Sequence, residues 1–372
     1  MARYWGIDLH KEYVHACEWD PVNRQRRHFR FPNTRAGWPR FIDQHLGPDC
    51  RVAIEVTGNA FEVHDGISSH VEQVLLAHPN ELKRLGSRRQ TDRVDAERLA
   101  KMLALGTLPL VWVPPVVIRE MRALLRHREA LVIDRVRCIN RAKGVLRRHG
   151  YPMAKQSDVR RYLAEHDPDL PEGERFILAS LLRQLEALEG ELRGVDAEIA
   201  RRAQAVAEVR LLLSLTGMGL VGAATVWAVI GDPARFRSPR RVTRYGGLDP
   251  SVYQSGERSS QGHISKNGSP MLRRTLIQVA YQVARRDTGP LGRFFARKQR
   301  QLGTKRAAVA LARKVLIVAW RMLRTQELYR GVEPARYQRK LKQLARTAAT
   351  AGGSPSRSLV VAVKAEQAAR VA

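Results

Sequence analysis

The first hundred residues alternate short β-forming runs with amphipathic helical patterns, and this alternation constrains the fold more than any other feature of the chain. Three runs of strand character come first, and strands then alternate with helices. Such an order predicts an α/β domain in which helices pack on a mixed sheet. The predicted strands are Tyr4–Leu9, Tyr13–Trp19, Arg27–Phe31, Arg51–Val56 and Gln73–Leu76, and the predicted helices are Thr34–Leu46 and His64–His70.

The stretch Gln90–Ala100 predicts a further helix that carries two acids on one face. Thr91 offers a hydroxyl N-cap, and apolar residues recur at helical spacing behind it. Asp92 and Asp95 lie three residues apart and therefore share a face. Acids near a helix N-terminus are favoured by the helix dipole alone. In a chain with a strong basic excess, however, two acids kept together also suit a hard divalent cation.

The charge balance predicts a polyanionic partner. The 372 residues include 65 Lys and Arg against 36 Asp and Glu, a formal net charge of +29. Nucleic acid is the leading partner; an anionic membrane surface is the alternative, although the basic residues are spread along the whole chain. The uncharged stretch Leu211–Gly231 has glycines at its middle, which favours two short helices around a turn over a membrane span.

The cysteines and the N-terminus indicate the compartment. Cys17, Cys50 and Cys138 are far apart and show no paired spacing, which predicts a reducing cytosol with neither disulfides nor a zinc site. The first residues lack the apolar core of a signal peptide. We therefore expect a cytoplasmic protein associated with the nucleoid.

Acids at the ends of predicted strands form a candidate site. In a mixed sheet Asp8 would come from the first strand and Glu55 from the fourth, and the helix at Gln90–Ala100 would add two more acids. Four carboxylates can hold two Mg²⁺ ions roughly 3.5 to 4 Å apart, an arrangement that serves in-line displacement at a phosphodiester. The pattern alone does not select these acids, because a lone acid in a strand is more often a strand-end cap.

Three motifs single these acids out: Gly6-Ile7-Asp8-Leu9-His10-Lys11, Ile54-Glu55-Val56-Thr57-Gly58 and Thr91-Asp92-Arg93-Val94-Asp95-Ala96. Their order and spacing resemble the successive motifs of the DEDD-type insertion-sequence transposases, a group that includes the Piv DNA invertases. The N-terminal domain of that family resembles the RuvC version of the ribonuclease H fold. The resemblance implies that Asp8, Glu55, Asp92 and Asp95 form an acidic tetrad that binds Mg²⁺ or Mn²⁺.

The middle of the chain predicts a basic helix and a coiled coil. Val116–His149 is helical in pattern and carries ten Lys and Arg against three acids, so phosphate contacts by residues such as Arg137 and Arg141 are favoured over a solvated face. Leucines and other apolar residues from Leu178 to Ile199 repeat as a heptad seam. This seam pairs either with the Val116 helix or with a second molecule. The resemblance favours a subunit contact in a dimer or tetramer.

The C-terminal region predicts glycine-mediated phosphate contacts. Leu215-Thr216-Gly217-Met218-Gly219 before an apolar helix looks like a helix-hairpin-helix, in which Gly217 and Gly219 let backbone N–H groups approach a phosphate. Later motifs again resemble the transposase family, whose C-terminal domain carries a serine required for strand exchange. These motifs are Tyr245-Gly246-Gly247-Leu248-Asp249-Pro250, Ser255-Gly256, Ile264-Ser265-Lys266-Asn267-Gly268 and Leu272-Arg273-Arg274.

Ser255 matches the family serine through a Pro-x-x-x-x-Ser-Gly pattern that starts at Pro250. The resemblance implies that its hydroxyl is the nucleophile and that neighbouring cations neutralise the scissile phosphate. Ser-Gly is also a common turn dipeptide, and other serines lie close by. Ser269-Pro270 departs from the family pattern and leaves the start of the following helix unfixed. The cations assigned to the phosphate are Lys266, Arg273 and Arg274.

The sequence therefore predicts a DNA transposase or recombinase that acts on element ends and target DNA, and the resemblance implies a guide RNA from the element. Two rivals stay open: a Mg²⁺-dependent RuvC-like junction nuclease without a serine nucleophile, and a non-catalytic basic DNA-binding protein. After the α/β domain we expect α-helical domains. The predicted boundaries are 1–112 for the RuvC-like DEDD domain, 113–209 for the basic helix and coiled coil, 210–345 for the serine-bearing domain and 346–372 for a flexible tail.

Overall fold

The computed structural model describes residues 2–85, 91–152, 158–255 and 258–351. The chain forms two compact units, Met1–Pro114 and Pro115–Ala372. Gln90, Gly256 and residues 352–372 of the predicted tail lie outside the described residues. Residues 346–349, which were expected to start the tail, belong to the last described helix.

A five-stranded mixed sheet forms the centre of the first unit. Its strand order is β3-β2-β1-β4-β5, the order of the ribonuclease H fold, and the expected α/β domain is confirmed. Strands β1, β2 and β3 pair antiparallel, whereas β4 and β5 continue the sheet parallel to β1. The strands are β1 (Arg3–Leu9), β2 (Tyr13–Asp20), β3 (Gln25–Pro32), β4 (Cys50–Glu55) and β5 (Gln73–Ala77).

Helices cover both faces of this sheet. On one face Trp5 and Ile54 are buried with Phe41 of α1. On the other face Ala53 and Leu99 share a second apolar cluster with residues of α3 and α4. The helices are α1 (Gly37–His45), α2 (Ala60–Ile67), α3 (Pro79–Arg84) and α4 (Asp92–Ala104), so α2 begins four residues before its predicted start at His64.

Gly6 allows α4 to lie directly on β1. A Cβ atom at this position would stand 2.0 Å from the Ala96 carbonyl oxygen and 2.5 Å from the Ala100 nitrogen. Any side chain would therefore push the helix away from the strand. Successive strand residues alternate between faces, so Asp8 lies on the same face as Gly6, the face that α4 covers.

The second unit is helical apart from one two-stranded antiparallel hairpin. We expected only helices there, so this hairpin corrects the sequence analysis; the segment gave no clear alternation of apolar and polar residues. The elements are α5 (Val116–Arg148), α6 (Val159–Glu165), α7 (Glu172–Gln204), α8 (Ala207–Leu213), α9 (Leu220–Ile230), α10 (Pro239–Tyr245), β6 (Pro250–Ser255), β7 (Arg258–Ile264), α11 (Pro270–Arg286), α12 (Pro290–Thr325, interrupted at Gly303) and α13 (Pro334–Ala349).

The heptad seam of α7 packs against α5 within the same chain. Leu181 and Leu185 are buried in one apolar cluster with Leu146 of α5. The Cys138 thiol donates to the Leu181 carbonyl at 3.1 Å. Leu181 and Leu185 are therefore buried by an intramolecular helical hairpin, one of the two pairings that the sequence left open, and a subunit contact through the seam stays a prediction.

The uncharged stretch from Leu211 folds as two short helices around a glycine turn, as predicted. Gly217 has φ +78°, and an added Cβ would stand 2.8 Å from the Val283 nitrogen of α11. The turn therefore requires glycine both for its backbone conformation and for its packing. No helix among the described residues combines the length and the apolar character needed to cross a bilayer.

Helix α11 begins at the pair that departs from the family pattern. The Ser269 hydroxyl accepts a hydrogen bond from the Leu272 nitrogen at 3.2 Å. Pro270 occupies the first helical turn, where its missing N–H costs nothing. Ser269-Pro270 is thus a favourable helix start, and it places Arg273 and Arg274 at the fourth and fifth positions of the helix.

Candidate active site

Asp8, His10 and Asp92 form a compact group of potential metal ligands. Asp8 is buried near the end of β1, and His10 follows directly after the strand. His10 Nε2 lies 3.0 Å from Asp8 Oδ2 and 3.3 Å from Asp92 Oδ1. One potential ligand atom from each residue lies within 4.8 Å of those of the other two. This spacing suits a single metal ion between two carboxylates and an imidazole.

Asp92 is held at the first turn of α4. The Thr91 hydroxyl caps the helix by accepting from the Val94 nitrogen at 3.4 Å, as the sequence predicted. The Tyr13 hydroxyl donates to Asp92 Oδ2 at 2.6 Å. This hydrogen bond is the main cause that lowers the pKa of Asp92 and raises the pKa of Tyr13. Asp92 is therefore kept as an oriented carboxylate.

The other three acids of the predicted tetrad show the effects of burial and crowding. Burial is the main cause that raises the pKa of Asp8, Glu55 and Asp95. Neighbouring carboxylates add to it: Asp8 and Asp95 act on Glu55, and Asp92 acts on Asp8 and Asp95. His10 opposes the shift at Asp8, and Arg98 is the strongest opposing charge at Asp95. The fold thus brings the four acids close enough to influence one another.

Glu55 and Asp95 do not belong to the three-residue ligand group. That group contains His10 instead, so the side-chain positions favour an Asp-His-Asp arrangement, while the remaining two acids contribute negative charge beside it. Like charges held together in this way are typical of metal sites and catalytic sites. A divalent cation would offset the mutual repulsion that adds to the effect of burial on these pKa values.

Sequence reasoning missed the roles of His10 and Tyr13. The period-two rule for strands offered a signal for His10, since it stands two residues after Asp8 and faces the same side. Tyr13 gave no local signal, because its contact with Asp92 spans 79 residues. The His10 and Tyr13 rings stack at 4.6 Å, and the Arg30 guanidinium carbon lies 4.0 Å from the centre of the Tyr13 ring.

Ser255 ends strand β6, where its backbone is the register partner of Arg258 on β7. The side chains of residues 251–261 lie outside what the structure describes. The fold therefore fixes the position of the Ser255 backbone at the tip of a hairpin and gives no position for its hydroxyl.

Lys266 and Arg273 lie around the loop that joins this hairpin to α11. Lys266 is exposed and has φ +57°. Arg273 Nη1 donates to the Gly268 carbonyl at 2.7 Å, and burial lowers the pKa of Arg273. The Ser265 hydroxyl donates to Asp249 Oδ1 at 2.5 Å and ties the start of the loop to the residue before β6. Arg273 thus also has a structural role.

The remaining predicted nucleic-acid contacts divide between two places in the second unit. Gly217, Gly219 and Arg274 line one cavity, and Arg274 forms an ion pair with Glu129 of α5. Arg137 and Arg141 line a separate groove between α5 and α7. Arg137 pairs with Asp134 at 3.1 Å, and Arg141 donates to the Gln184 side chain at 3.2 Å.

Two family models match this chain. A DEDD transposase model, described as a transposase, matches residues 5–150, and the model of the transposase IS116/IS110/IS902 family matches residues 209–297. The first match covers the sheet with its acids, and the second covers the glycine turn, the β6–β7 hairpin and α11.

Curated relatives extend the similarity over most of the chain. The transposase for insertion sequence element IS1111A of Coxiella burnetii is 27% identical over 338 residues, which cover 87% of this chain and 90% of that protein. The transposase for insertion sequence element IS1328 of Yersinia enterocolitica is 29% identical over 335 residues, 85% of this chain and 95% of that protein. A Sinorhizobium fredii protein named "Putative transposase y4rJ" is 30% identical over 296 residues, 72% of this chain and 74% of that protein.

The ribonuclease H-like sheet, its acidic site and these matches define an insertion-sequence transposase with a DEDD domain. The chain belongs to the IS110/IS116/IS902 transposase family. Membership implies DNA binding and the use of a divalent metal, and the Asp8, His10 and Asp92 group is the place in the fold where such a metal fits.

Proposed function

We propose that this chain cuts and rejoins DNA at the ends of its insertion sequence and at the target, with the acids of the first unit and a serine of the second unit acting on one phosphate. The observation that carries the proposal is the convergence of Asp8, Glu55, Asp92 and Asp95 at one edge of a ribonuclease H-like sheet. Their mutual crowding in a chain of net charge +29 supports a role that requires negative charge at this place.

The donor set fits Mg²⁺ or Mn²⁺. Carboxylate oxygens are the ligands that both ions prefer, and the imidazole of His10 suits Mn²⁺ better than Mg²⁺. Asp8 and Asp92 would hold the ion, with Glu55 and Asp95 available for a second ion or for orienting the first. A divalent ion bound here would supply positive charge that stabilises the transition state of a phosphoryl transfer.

Ser255 is proposed as the nucleophile. Its hydroxyl oxygen attacks the scissile phosphorus, its proton passes to a base, and the bond between phosphorus and the leaving deoxyribose oxygen breaks as that oxygen gains a proton. A hydroxyl from the receiving strand then attacks the phosphoserine ester, which rejoins the DNA and restores the serine. Support for this role comes from the family resemblance and from the place of Ser255 at the tip of a hairpin.

Cations of the second unit are proposed to hold the DNA backbone. Lys266, Arg273 and Arg274 would neutralise the scissile phosphate, and the glycine turn would act as a helix-hairpin-helix contact through Gly217 and Gly219. Arg137 and Arg141 would contact phosphates along α5, and their exposed positions support this. A guide RNA and a dimer or tetramer remain proposals that rest on the family resemblance, as does a cytoplasmic, nucleoid-associated location.

Two rival functions make different predictions. A Mg²⁺-dependent junction nuclease would use the same acids without needing the serine, so Ser255→Ala would leave cleavage intact. A non-catalytic DNA-binding protein would tolerate the loss of every acid of the tetrad.

The test is an excision assay on a plasmid that carries the element. Asp8→Ala, Glu55→Ala, Asp92→Ala and Ser255→Ala should each abolish excision, while salt-sensitive DNA binding persists. Asp43→Ala and Ser259→Ala are the matched controls and should excise normally, since Asp43 is an exposed acid of α1 and Ser259 a neighbouring serine. Normal excision by any of the first four variants would reject the assigned site.

A further inference from the structure

The second unit contains a cavity whose lining is strongly cationic. Its volume is about 870 Å³, and it lies among α5, the glycine turn with α9, α11 and α13. A single acid, Glu129, contributes to the lining. The lining cations are Arg128, Arg274, Arg286, Arg336, Arg339 and Lys340.

Half of these cations are neutralised by acids. Arg128 pairs with Asp196 at 2.5 Å, Arg274 pairs with Glu129, and Arg336 pairs with Glu333 at 3.0 Å. Within the described parts of the chain, the other three make no ion pair with a carboxylate. Positive charge therefore remains at the cavity, carried by the exposed Arg286 and Arg339 and the partly buried Lys340. These three cations are Arg286, Arg339 and Lys340.

Lys340 is fixed in place although its environment disfavours its charge. Its ammonium group donates to the Leu213 carbonyl at 2.7 Å and to the Leu215 carbonyl at 2.8 Å, which ties α13 to the segment before the glycine turn. Burial, with smaller contributions from Arg336 and Arg286, lowers the pKa of Lys340 to about 8. An anion in the cavity would relieve this repulsion.

A buried hydroxyl of the same cavity has no hydrogen-bond partner. Thr225 lines the cavity and is 1% exposed, and its Oγ1 atom makes no hydrogen bond to the described residues. Buried polar atoms are nearly always paired, so an unpaired hydroxyl in a cavity lining points to a ligand. Thr225 belongs to α9, whose N-cap Gly219 also lines the cavity and provides no side-chain cap.

We propose that this cavity binds an unpaired nucleotide of a nucleic-acid strand, with its phosphate against Arg286, Arg339 and Lys340 and its remaining polar atoms near Thr225. The volume is that of a pocket for a small organic molecule and is too small for a duplex. The amides of Gln278 and Gln282 also line the cavity and can pair with base edges. The inference rests on the proposed function in one respect, namely that nucleic acid is the substrate.

The test is photocrosslinking of the full-length protein to a short single-stranded oligonucleotide that carries a thio-substituted pyrimidine. DNA and RNA versions are compared in EDTA, so that the acidic site and cleavage play no part. We expect cross-linked peptides from α9 or α11. The double substitution Arg286→Gln with Arg339→Gln should lose these cross-links and should reduce the slope of log affinity against log salt by about 0.7, the value for one lost phosphate contact on a single strand.

Two variants distinguish an effect on oligonucleotide binding from an effect on the stability of the protein. Lys342→Gln removes an exposed cation of α13 that does not line the cavity, and it should cross-link like the wild type. Thr225→Val should weaken oligonucleotide binding about threefold to tenfold while the melting temperature stays the same or rises, because it removes an unpaired hydroxyl. A purely structural hydroxyl would instead lower the melting temperature.

The outcomes are distinct. Cross-links with DNA, with RNA or with both support the cavity and identify the strand that enters it. The inference is overturned if neither strand cross-links to residues of the cavity, or if the double variant cross-links and binds like the wild type. Neither failure would affect the excision test, since binding is measured without metal.

Discussion

The first unit concentrates acids in a basic chain, whereas the second unit concentrates cations around a cavity. In the first unit, burial and neighbouring carboxylates raise the pKa of Asp8 and Glu55. In the second unit, burial and neighbouring guanidinium groups lower the pKa of Lys340. Both groups of side chains have like charges held together by a packed fold. Each therefore lacks a counter-charge that a ligand would provide, a divalent cation in one case and a phosphate in the other.

The two places differ in how the fold fixes them. The acidic site depends on close packing of α4 on β1, where Gly6 leaves no space for a side chain. The cationic cavity is lined by long side chains from four segments, and Gly219 at its edge has nothing within 4 Å of an added Cβ. The turn at Gly217 beside the cavity is also closely packed. We infer that backbone packing fixes the acids, whereas the long cationic side chains of the cavity adjust to a larger ligand.

The largest effect should come from Gly6→Ala. Its methyl group would collide with the Ala96 carbonyl, so we expect a loss of about 3 kcal/mol in the free energy of unfolding and loss of excision. Gly219→Ala is the matched control, with a change of about 0.5 kcal/mol or less. Chemical denaturation of both variants measures the difference, and equal losses would contradict the contrast between the two sites.

Metal binding should stabilise the acidic site alone. Mn²⁺ at about a hundred times its dissociation constant should raise the free energy of unfolding of the first unit by about 2.7 kcal/mol. Asp8→Asn should abolish this gain, and Glu72→Gln, which changes an exposed acid paired with Arg51, should retain it. Thermal unfolding with and without Mn²⁺ measures this stabilisation. If Mn²⁺ stabilised Asp8→Asn as much as the wild type, the metal would bind elsewhere.

Tyr13→Phe should weaken the metal site without removing it. The variant loses the hydrogen bond to Asp92 and with it the orientation of that carboxylate. Loss of such an outer contact typically lowers metal affinity by about tenfold or somewhat more. Calorimetric titration with Mn²⁺ measures the change, and wild-type affinity in the variant would show that Tyr13 plays no positioning role.

The smallest effect concerns pH in metal-free buffer. The folded pKa of Asp8 is raised above its unfolded value, so the stability linked to its proton is present at low pH and is lost as pH rises through the folded pKa. Asp8→Asn should therefore match the wild type in acid and become modestly more stable relative to it toward neutral pH. Denaturation curves at several pH values test this prediction. If the wild type instead became more stable than the variant as pH rises, the pKa of Asp8 would not be raised in the folded protein.

Sequence patterns predicted the sheet because its strands are short runs of apolar or alternating character separated by polar segments. They also predicted the helix start at Thr91, where a side-chain cap leaves a local signature. The choice of Asp8 and Glu55 among the acids required the family resemblance, since a strand-end acid looks the same whether or not it meets other acids in space.

Contacts between distant segments account for what the sequence did not reveal. Neither the bond between Tyr13 and Asp92 nor the packing of Leu185 on α5 leaves a local trace. The heptad seam gave the correct helix but did not choose between an intramolecular and an intermolecular partner, because a leucine repeat fits any complementary apolar surface. The β6–β7 hairpin was missed because its apolar residues do not alternate: Val252 and Tyr253 are adjacent, and polar residues separate them from Ile264.

The central claim is that the acids of the first unit and Ser255 act on the same phosphate, and trapping the covalent intermediate tests it most directly. The full-length protein is incubated with element-end DNA and Mn²⁺, denatured, digested and mapped for nucleotide-bearing peptides. We predict a single adduct on Ser255 that is absent from Asp8→Ala. Cleaved DNA without any adduct, or an adduct on another residue such as Ser259, would contradict the claim.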